Sequence, residues 1–195
     1  MRGDLKMTIT TSETAQDELM TLAPSADDDL EAAFKAYWSR ICATLYRLVG
    51  DWDEAEDLAL EVFYRLHHRP PRHRDRLGSW LYRVATHIGL NALRARRRRR
   101  EYEESAGIHQ LQRTDPVDPA EQVERSERRA RVRHTLALMR PRRAQILILR
   151  HSGLSYAEIA TSLGVAPGSV GTLLARAEKD FGRRYRALEE DHETR

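Results

Sequence analysis

Residues 155–181 read SYAEIATSLGVAPGSVGTLLARAEKDF. Ser155 is placed to cap a helix, and Glu158, three residues on, completes a capping box. Ala160 is small enough to let a second helix approach closely. Gly164 follows four residues later, where a tight turn needs a positive φ. Val170, ten residues after Ala160, is the β-branched plug between two helices. That spacing of small residue, glycine and β-branched residue is the pattern of a helix-turn-helix. The second helix carries two faces. Val170, Leu174, Ala177 and Phe181 form an inward stripe, while Ser169, Thr172, Arg176, Lys179 and Arg183 share the other side. Small hydroxyls followed by cations suit a helix that enters a major groove. The plainer alternative for this segment is an αα-hairpin with a solvated face.

Working outward, the chain reads as helix throughout. Upstream of the motif, Pro119 opens a helix that runs to Met139, and Pro141 restarts one carrying Ile146, Leu147 and Leu149 that ends near Gly153. Further back, Leu30, Phe34, Tyr37/Trp38, Ile41, Leu45 and Leu48 recur at helical spacing up to Gly50. Cys42 lies in this helix as core or boundary packing. A second helix covers 51–66, with Asp53 as its expected N-cap, Leu58, Val62 and Leu66 as its buried stripe, and Pro70 and Pro71 as its stop. A third starts at about Ser79, with Trp80, Leu81, Val84, Ile88 and Ala92 on its apolar side. The last two helices are expected at about 155–163 and 167–187. No stretch alternates with period two for long, so the fold class is all-α. No internal repeat is evident.

Charge is segregated along this scaffold. Of 33 basic residues only Lys6, Lys35 and Lys179 are lysines. Arginine forks match phosphate and base edges, although a GC-rich genome would also enrich arginine, so placement decides. Between 51 and 61 there are six acids and no bases. From 65 to 100 there are twelve arginines against Asp75 alone, ending in the run RARRRRR. Cations interleaved with Trp80, Tyr82 and histidines are what a single-strand binder needs. Residues 101–127 turn acidic again, with eight acids against Arg113 and Arg125, and include the turn-rich TDPVDP that marks a domain boundary.

Composition excludes several classes. Apolar residues are 41% of the 195-residue chain, enough for a core, and charged residues are 32%, above the usual quarter. No run of eighteen apolar residues exists for a membrane span, and residues 1–20 hold no apolar stretch for a secretory signal. Cys42 is the single cysteine, so neither an internal disulfide nor a cysteine-based zinc site is available. His67, His68 and His73 sit among cations that repel a metal. No nucleophilic triad, phosphate loop or paired carboxylate stands out. The expectation is a cytoplasmic protein with no cofactor, no metal and no enzymatic activity.

Three motifs together resemble the extracytoplasmic-function (ECF) group of the sigma-70 family of RNA polymerase initiation factors. EAEDLALEVFYRL (54–66) resembles its polymerase-docking region. GSWLYRVATHIGLNALRARRRR (78–99) resembles its promoter-melting and minus-ten helix. MRPRRAQILILRHSGLSYAEIATSLGVAPGSVGTLLARAE (139–178) resembles its minus-thirty-five domain. The resemblance implies two small helical domains joined by a flexible acidic linker: a flexible acidic leader over 1–27, region 2 over 28–100, the linker over 101–118, region 4 over 119–188 and a tail over 189–195. It implies that Asp53, Glu56, Asp57, Glu61 and Phe63 meet the β′ clamp helices of core RNA polymerase, with region 4 at the β flap. It implies that Arg74, Arg76, Trp80, Arg83, His87, Asn91 and Arg94 approach the minus-ten strand, where a base is flipped into a pocket made by the loop before the helix. Trp80 has an equal reading as the core anchor of that helix. Ser169, Thr172, Arg176 and Lys179 are then the minus-thirty-five contacts. The linker would thread into the polymerase, its acids imitating nucleic acid. An anti-sigma protein is a further implied partner, beside core polymerase and promoter DNA.

The sequence departs from the family pattern in places. Leu60 stands where glutamine is frequent, His87 where asparagine is, and Asn91 where aspartate is. Arg140 replaces a common proline and Ala144 a common arginine, and Gly171 and Leu173 occupy positions often basic in the recognition helix. Base reading therefore falls more heavily on Ser169, Thr172 and Arg176. Two other readings use the same residues. A stand-alone helix-turn-helix regulator leaves the acidic and the aromatic-basic helices unexplained. A small nucleic-acid-processing enzyme lacks a ligand set.

Overall fold

The computed structural model describes residues 26–106 and 119–193. Among these, the elements are helices: α1 (Ala26–Val49), α2 (Trp52–His68), α3 (Leu77–Ser105), α4 (Pro119–Leu138), α5 (Pro141–His151), α6 (Tyr156–Leu163) and α7 (Val170–Glu193), with 3₁₀ turns at Arg74–Arg76 and Pro167–Ser169. The expected leader falls mostly outside the described residues, as does the linker from 107 onward.

Local chemistry sets the helix ends. Gly50 stops α1 with φ +77°, its amide donating to the Tyr46 carbonyl at 2.7 Å. The cap of α2 is Asp51 rather than the expected Asp53: its carboxylate accepts from the Glu54 amide at 2.8 Å. Asp53 instead lies inside the first turn, where an acid suits the positive end of the helix dipole. Helix α1 begins at Ala26, four residues before its first apolar stripe residue. Helix α3 runs five residues into the segment expected as linker, helped by an Arg97–Glu101 pair one turn apart at 3.5 Å. In α6 the capping box is complete: the Ser155 hydroxyl accepts from the Glu158 amide, and the Glu158 carboxylate takes the Ser155 amide at 2.8 Å. Gly164 closes α6 in the left-handed conformation at φ +63°, ψ 45°.

Helices α1, α2 and α3 pack against one another as a three-helix bundle. Their core holds Ile41, Leu45, Leu48, Val62, Leu81 and Leu90, with Cys42 also buried. Burial pushes the Cys42 thiol pKa up, with Glu56 adding to the shift, so this thiol is packing rather than a reactive group. Helices α4–α7 form the second cluster around Ala144, Ile146, Leu149, Ile159, Val170 and Leu174. Truncating one such leucine to alanine typically costs about 3–5 kcal/mol. The two clusters touch through α3, which packs on α4, α5 and α6.

Candidate functional site

Helix α2 presents its acids on the side away from the core. Ala55, Ala59, Val62, Phe63 and Leu66 face inward. Asp53 and Asp57, one turn apart, are exposed, and among the described residues neither has an ion-pair partner. Glu56 accepts from the Trp52 indole at 2.8 Å, and Glu61 from Arg65 at 2.7 Å. Leu60 and Tyr64, 53% and 60% exposed, interleave with the carboxylates. These two were missed from sequence, although they continue the Asp53–Asp57 spacing along one face. Phe63 was expected as a polymerase contact, and the structure corrects this. Its side chain is 4% exposed, and its ring lies 5.0 Å from Phe34 and 5.8 Å from Trp38, so it holds α2 to α1.

The expected minus-ten residues form a stripe that begins in the loop before α3. Arg74 pairs with Asp29 and is exposed, as is Arg76. Trp80 is half-buried and packs against the core, while its ring also lines a cavity of about 350 Å³ with His73, Arg76 and Arg83. Its packing makes Trp80 a core anchor of α3 whose other side stays open to the cavity. Arg83, His87 and Asn91 are exposed along the next two turns, with the Asn91 amide 3.2 Å from the His87 ring nitrogen. Arg94 is half-buried and donates to the Met139 carbonyl at 3.2 Å. Burial, with Arg97 and Arg98 nearby, lowers its pKa, but a guanidinium stays charged. Of the arginine run, Arg96 is held by the Val49 carbonyl at 2.5 Å and by the Glu54 carboxylate.

In the second cluster the two faces of α7 separate as their spacing dictates. Val170, Leu174 and Ala177 are buried. Ser169, Thr172, Arg176 and Lys179 are all exposed along one side, beginning at the helix N-terminus, where backbone amides favour phosphate. Sequence reasoning missed Asp180. It is 4% exposed, accepts from Arg183 at 2.6 Å and Arg184 at 3.2 Å, and pairs with Arg143 of α5 at 3.1 Å. Burial would raise its pKa, but Arg143 and Arg184 outweigh that and hold it below the ordinary aspartate value. This carboxylate ties α7 to α5.

Polar contacts hold the two clusters together. The Ser162 hydroxyl of α6 donates to the Ser79 carbonyl at 3.0 Å, and Thr161 and Ser162 form one wall of the Trp80 cavity. Arg47 donates to the His151 carbonyl at 3.1 Å, and the Thr44 and Ser152 hydroxyls lie 3.3 Å apart. The first helix of the helix-turn-helix thus lies across the start of α3. Among the described residues no group of three His, Cys, Asp or Glu side chains is placed to hold a metal ion, and no helix is long and apolar enough to cross a membrane.

Comparison with known proteins places these surfaces in context. A family model described as Sigma-70 region 2 matches residues 33–99, and one described as Sigma-70, region 4 matches residues 129–181. RNA polymerase sigma factor YlaC of Bacillus subtilis is 27% identical over 157 residues, spanning 79% of this chain and 90% of the relative. The RNA polymerase sigma-H factor of Pseudomonas aeruginosa is 29% identical over 163 residues, 78% of this chain and 83% of the relative. A probable ECF RNA polymerase sigma factor SigI of Mycobacterium tuberculosis is 30% identical over 159 residues, and there the match spans 80% of this chain but 55% of the relative.

Proposed function

This chain belongs to the sigma-70 family, in its ECF group, and we propose on that footing how its surfaces divide the work of a dissociable initiation subunit. It binds core RNA polymerase and directs promoter-specific initiation. It has no enzymatic activity of its own and works in the cytoplasm, beside the polymerase.

The exposed α2 face docks on the clamp helices of the β′ subunit. Asp53 and Asp57 supply unpaired negative charge, and Leu60 and Tyr64 supply apolar area between the charges. Such a patch sets orientation and on-rate through charge and residence time through burial. Phe63 contributes by holding the helix in place. The stripe Arg76, Trp80, Arg83, His87 and Asn91 meets the opened minus-ten strand. Rings and guanidiniums there offset the few kcal/mol that unstacking a base costs. Ser169, Thr172, Arg176 and Lys179 enter the major groove at the minus-thirty-five element, with region 4 resting on the β flap. An anti-sigma protein acts by covering one of these faces.

The seam between the clusters sets the order of events. The two promoter elements lie about 25 base pairs apart, roughly 85 Å at 3.4 Å per base pair. Here α6 touches the first turn of α3, beside the minus-ten stripe, at 3.0 Å between Ser162 and Ser79. One molecule therefore reads both elements only after the seam opens, and docking on the polymerase supplies the contacts that hold it open.

The observation that carries this reading is the exposed acidic and apolar face of α2 on the same chain as a helix-turn-helix. The test is co-migration with bacterial core RNA polymerase on a sizing column, beside an Asp57→Arg variant. The wild type co-migrates and the variant does not. Failure of the wild type to co-migrate, with tight duplex binding by the chain alone, would instead favour the stand-alone regulator.

A further inference from the structure

Where α1 ends against α4, α5 and α7, the structure holds a groove of about 920 Å³, within the usual size range of small-ligand sites, roughly 300–1,000 Å³. Its floor is apolar: Leu48 from α1, Val132 and Leu136 from α4, Leu147 from α5 and Phe181 from α7. Its rim is basic, with Arg47, Arg128, Arg129 and Arg133, and Glu178 is the one carboxylate among its lining residues.

The arginines of the rim differ in what already engages them. Arg128 pairs with Glu124 at 2.8 Å, and Arg47 donates to the His151 carbonyl. Among the described residues, Arg129 and Arg133 have no ion-pair partner. The Arg133 guanidinium lies directly over Gly50, where a Cβ would stand 2.8 Å from its central carbon. Arg133 is half-buried, and burial, together with Arg96 and Arg100, pushes its pKa below the usual arginine value. Arg129 is exposed, and the half-buried Arg133 guanidinium stays charged, so an anionic group seated beside them gains charge-assisted contacts.

We propose that this groove binds a single-chain amphipathic anion, its apolar chain along Leu48, Val132, Leu136 and Phe181 and its phosphate or carboxylate head on Arg133 and Arg129. The walls favour an alkyl chain over a nucleobase, because the floor offers no amide or carboxylate to read base edges. The concave shape between helices favours a free monomer over a bilayer surface. Its walls come from both clusters, so the ligand is held only while the seam is closed. If the chain works as proposed above, ligand at 100 times its Kd favours the closed form about 100-fold. By reciprocity, it weakens core polymerase binding by the same factor.

The test titrates the full chain with dodecyl phosphate, below its micelle-forming concentration, by calorimetry. It uses wild type, an Arg129→Gln/Arg133→Gln double variant and a Val132→Gln variant, each checked for native circular dichroism. We expect saturable one-to-one binding by the wild type and at least tenfold weaker binding by both variants. Inorganic phosphate should not displace the probe, and phosphatidylglycerol vesicles should not retain the protein. The proposal is overturned by non-saturable wild-type binding, by equal displacement with inorganic phosphate, or by vesicle capture without monomer binding. Unchanged affinity in the double variant would equally overturn it. None of these readouts uses polymerase, so they stand apart from the co-migration test; loss of polymerase affinity on adding the probe tests the coupling.

Discussion

Replacing Asp180 with asparagine keeps the shape of the side chain and removes its charge. Asp180 is 4% exposed, and its carboxylate faces Arg183, Arg184 and Arg143 at 2.6, 3.2 and 3.1 Å. The Arg183 side chain is 71% exposed, so water replaces most of what it loses, and its share is small. Arg184 and Arg143 are 33% and 40% exposed and recover less. A charge-assisted bond contributes roughly 1 kcal/mol more than a neutral one, and two partners are affected, so Asp180→Asn should cost about 2 kcal/mol. The assay is urea unfolding followed by far-ultraviolet circular dichroism and by tryptophan fluorescence together. Trp38, Trp52 and Trp80 all lie in the first cluster, so the loss should move the circular dichroism transition more than the fluorescence. The pH dependence has a definite sign. Asp180 has a depressed folded pKa, so its contribution is complete above the unfolded aspartate value of about 3.9 and is lost as pH falls through the lower folded value. The gap between wild type and variant should therefore shrink toward acid. A variant within roughly 0.5 kcal/mol of wild type at neutral pH, or a gap that does not change with pH, would refute the reasoning.

Two further outcomes follow from the geometry. Gly164→Ala should cost about 1–2 kcal/mol by its positive φ alone, since nothing lies within 4 Å of the added Cβ. Gly168→Ala, equally open but without a positive φ, should stay near neutral in the same unfolding assay. Spin labels at Lys35→Cys and Ala187→Cys, both exposed and outside the proposed polymerase and DNA faces, with the buried Cys42 left in place, should report a single shorter distance in the free chain. That distance should lengthen by tens of ångströms when core polymerase is added; an unchanged distance would contradict opening of the seam.

The helix-turn-helix was legible because its signals are local. A capping box, a left-handed glycine and a stripe at helical spacing each act within a few residues, and Ser155, Gly164 and Val170 stand as those signals require. Helix ends were less legible where two residues compete for one role. Asp51 and Asp53 can both cap, and only backbone geometry selects Asp51. The extension of α3 to Ser105 follows from good helix formers and an i,i+4 pair, which a sudden change of charge disguised as a boundary. Phe63 was misassigned because its acidic neighbours suggest a solvated face, whereas the Phe34 and Trp38 rings bury it. Asp180, between Lys179 and residues Arg183 and Arg184, looks like an ordinary surface pair; its burial depends on Arg143, 37 positions away. The seam was not legible at all. Periodicity shows that a face is apolar without naming its partner, and the arginines of α3 and α4 would have argued for separation.

The central claim is that this chain gives core RNA polymerase its choice of promoter. The direct measurement is transcription by purified core polymerase on fragmented genomic DNA from the source organism, with and without the protein, with every RNA 5′ end mapped. The account predicts a discrete set of start sites that appear only with the protein, share spaced minus-ten and minus-thirty-five sequences, and disappear with Asp57→Arg. Start sites that do not change when the protein is added would contradict it.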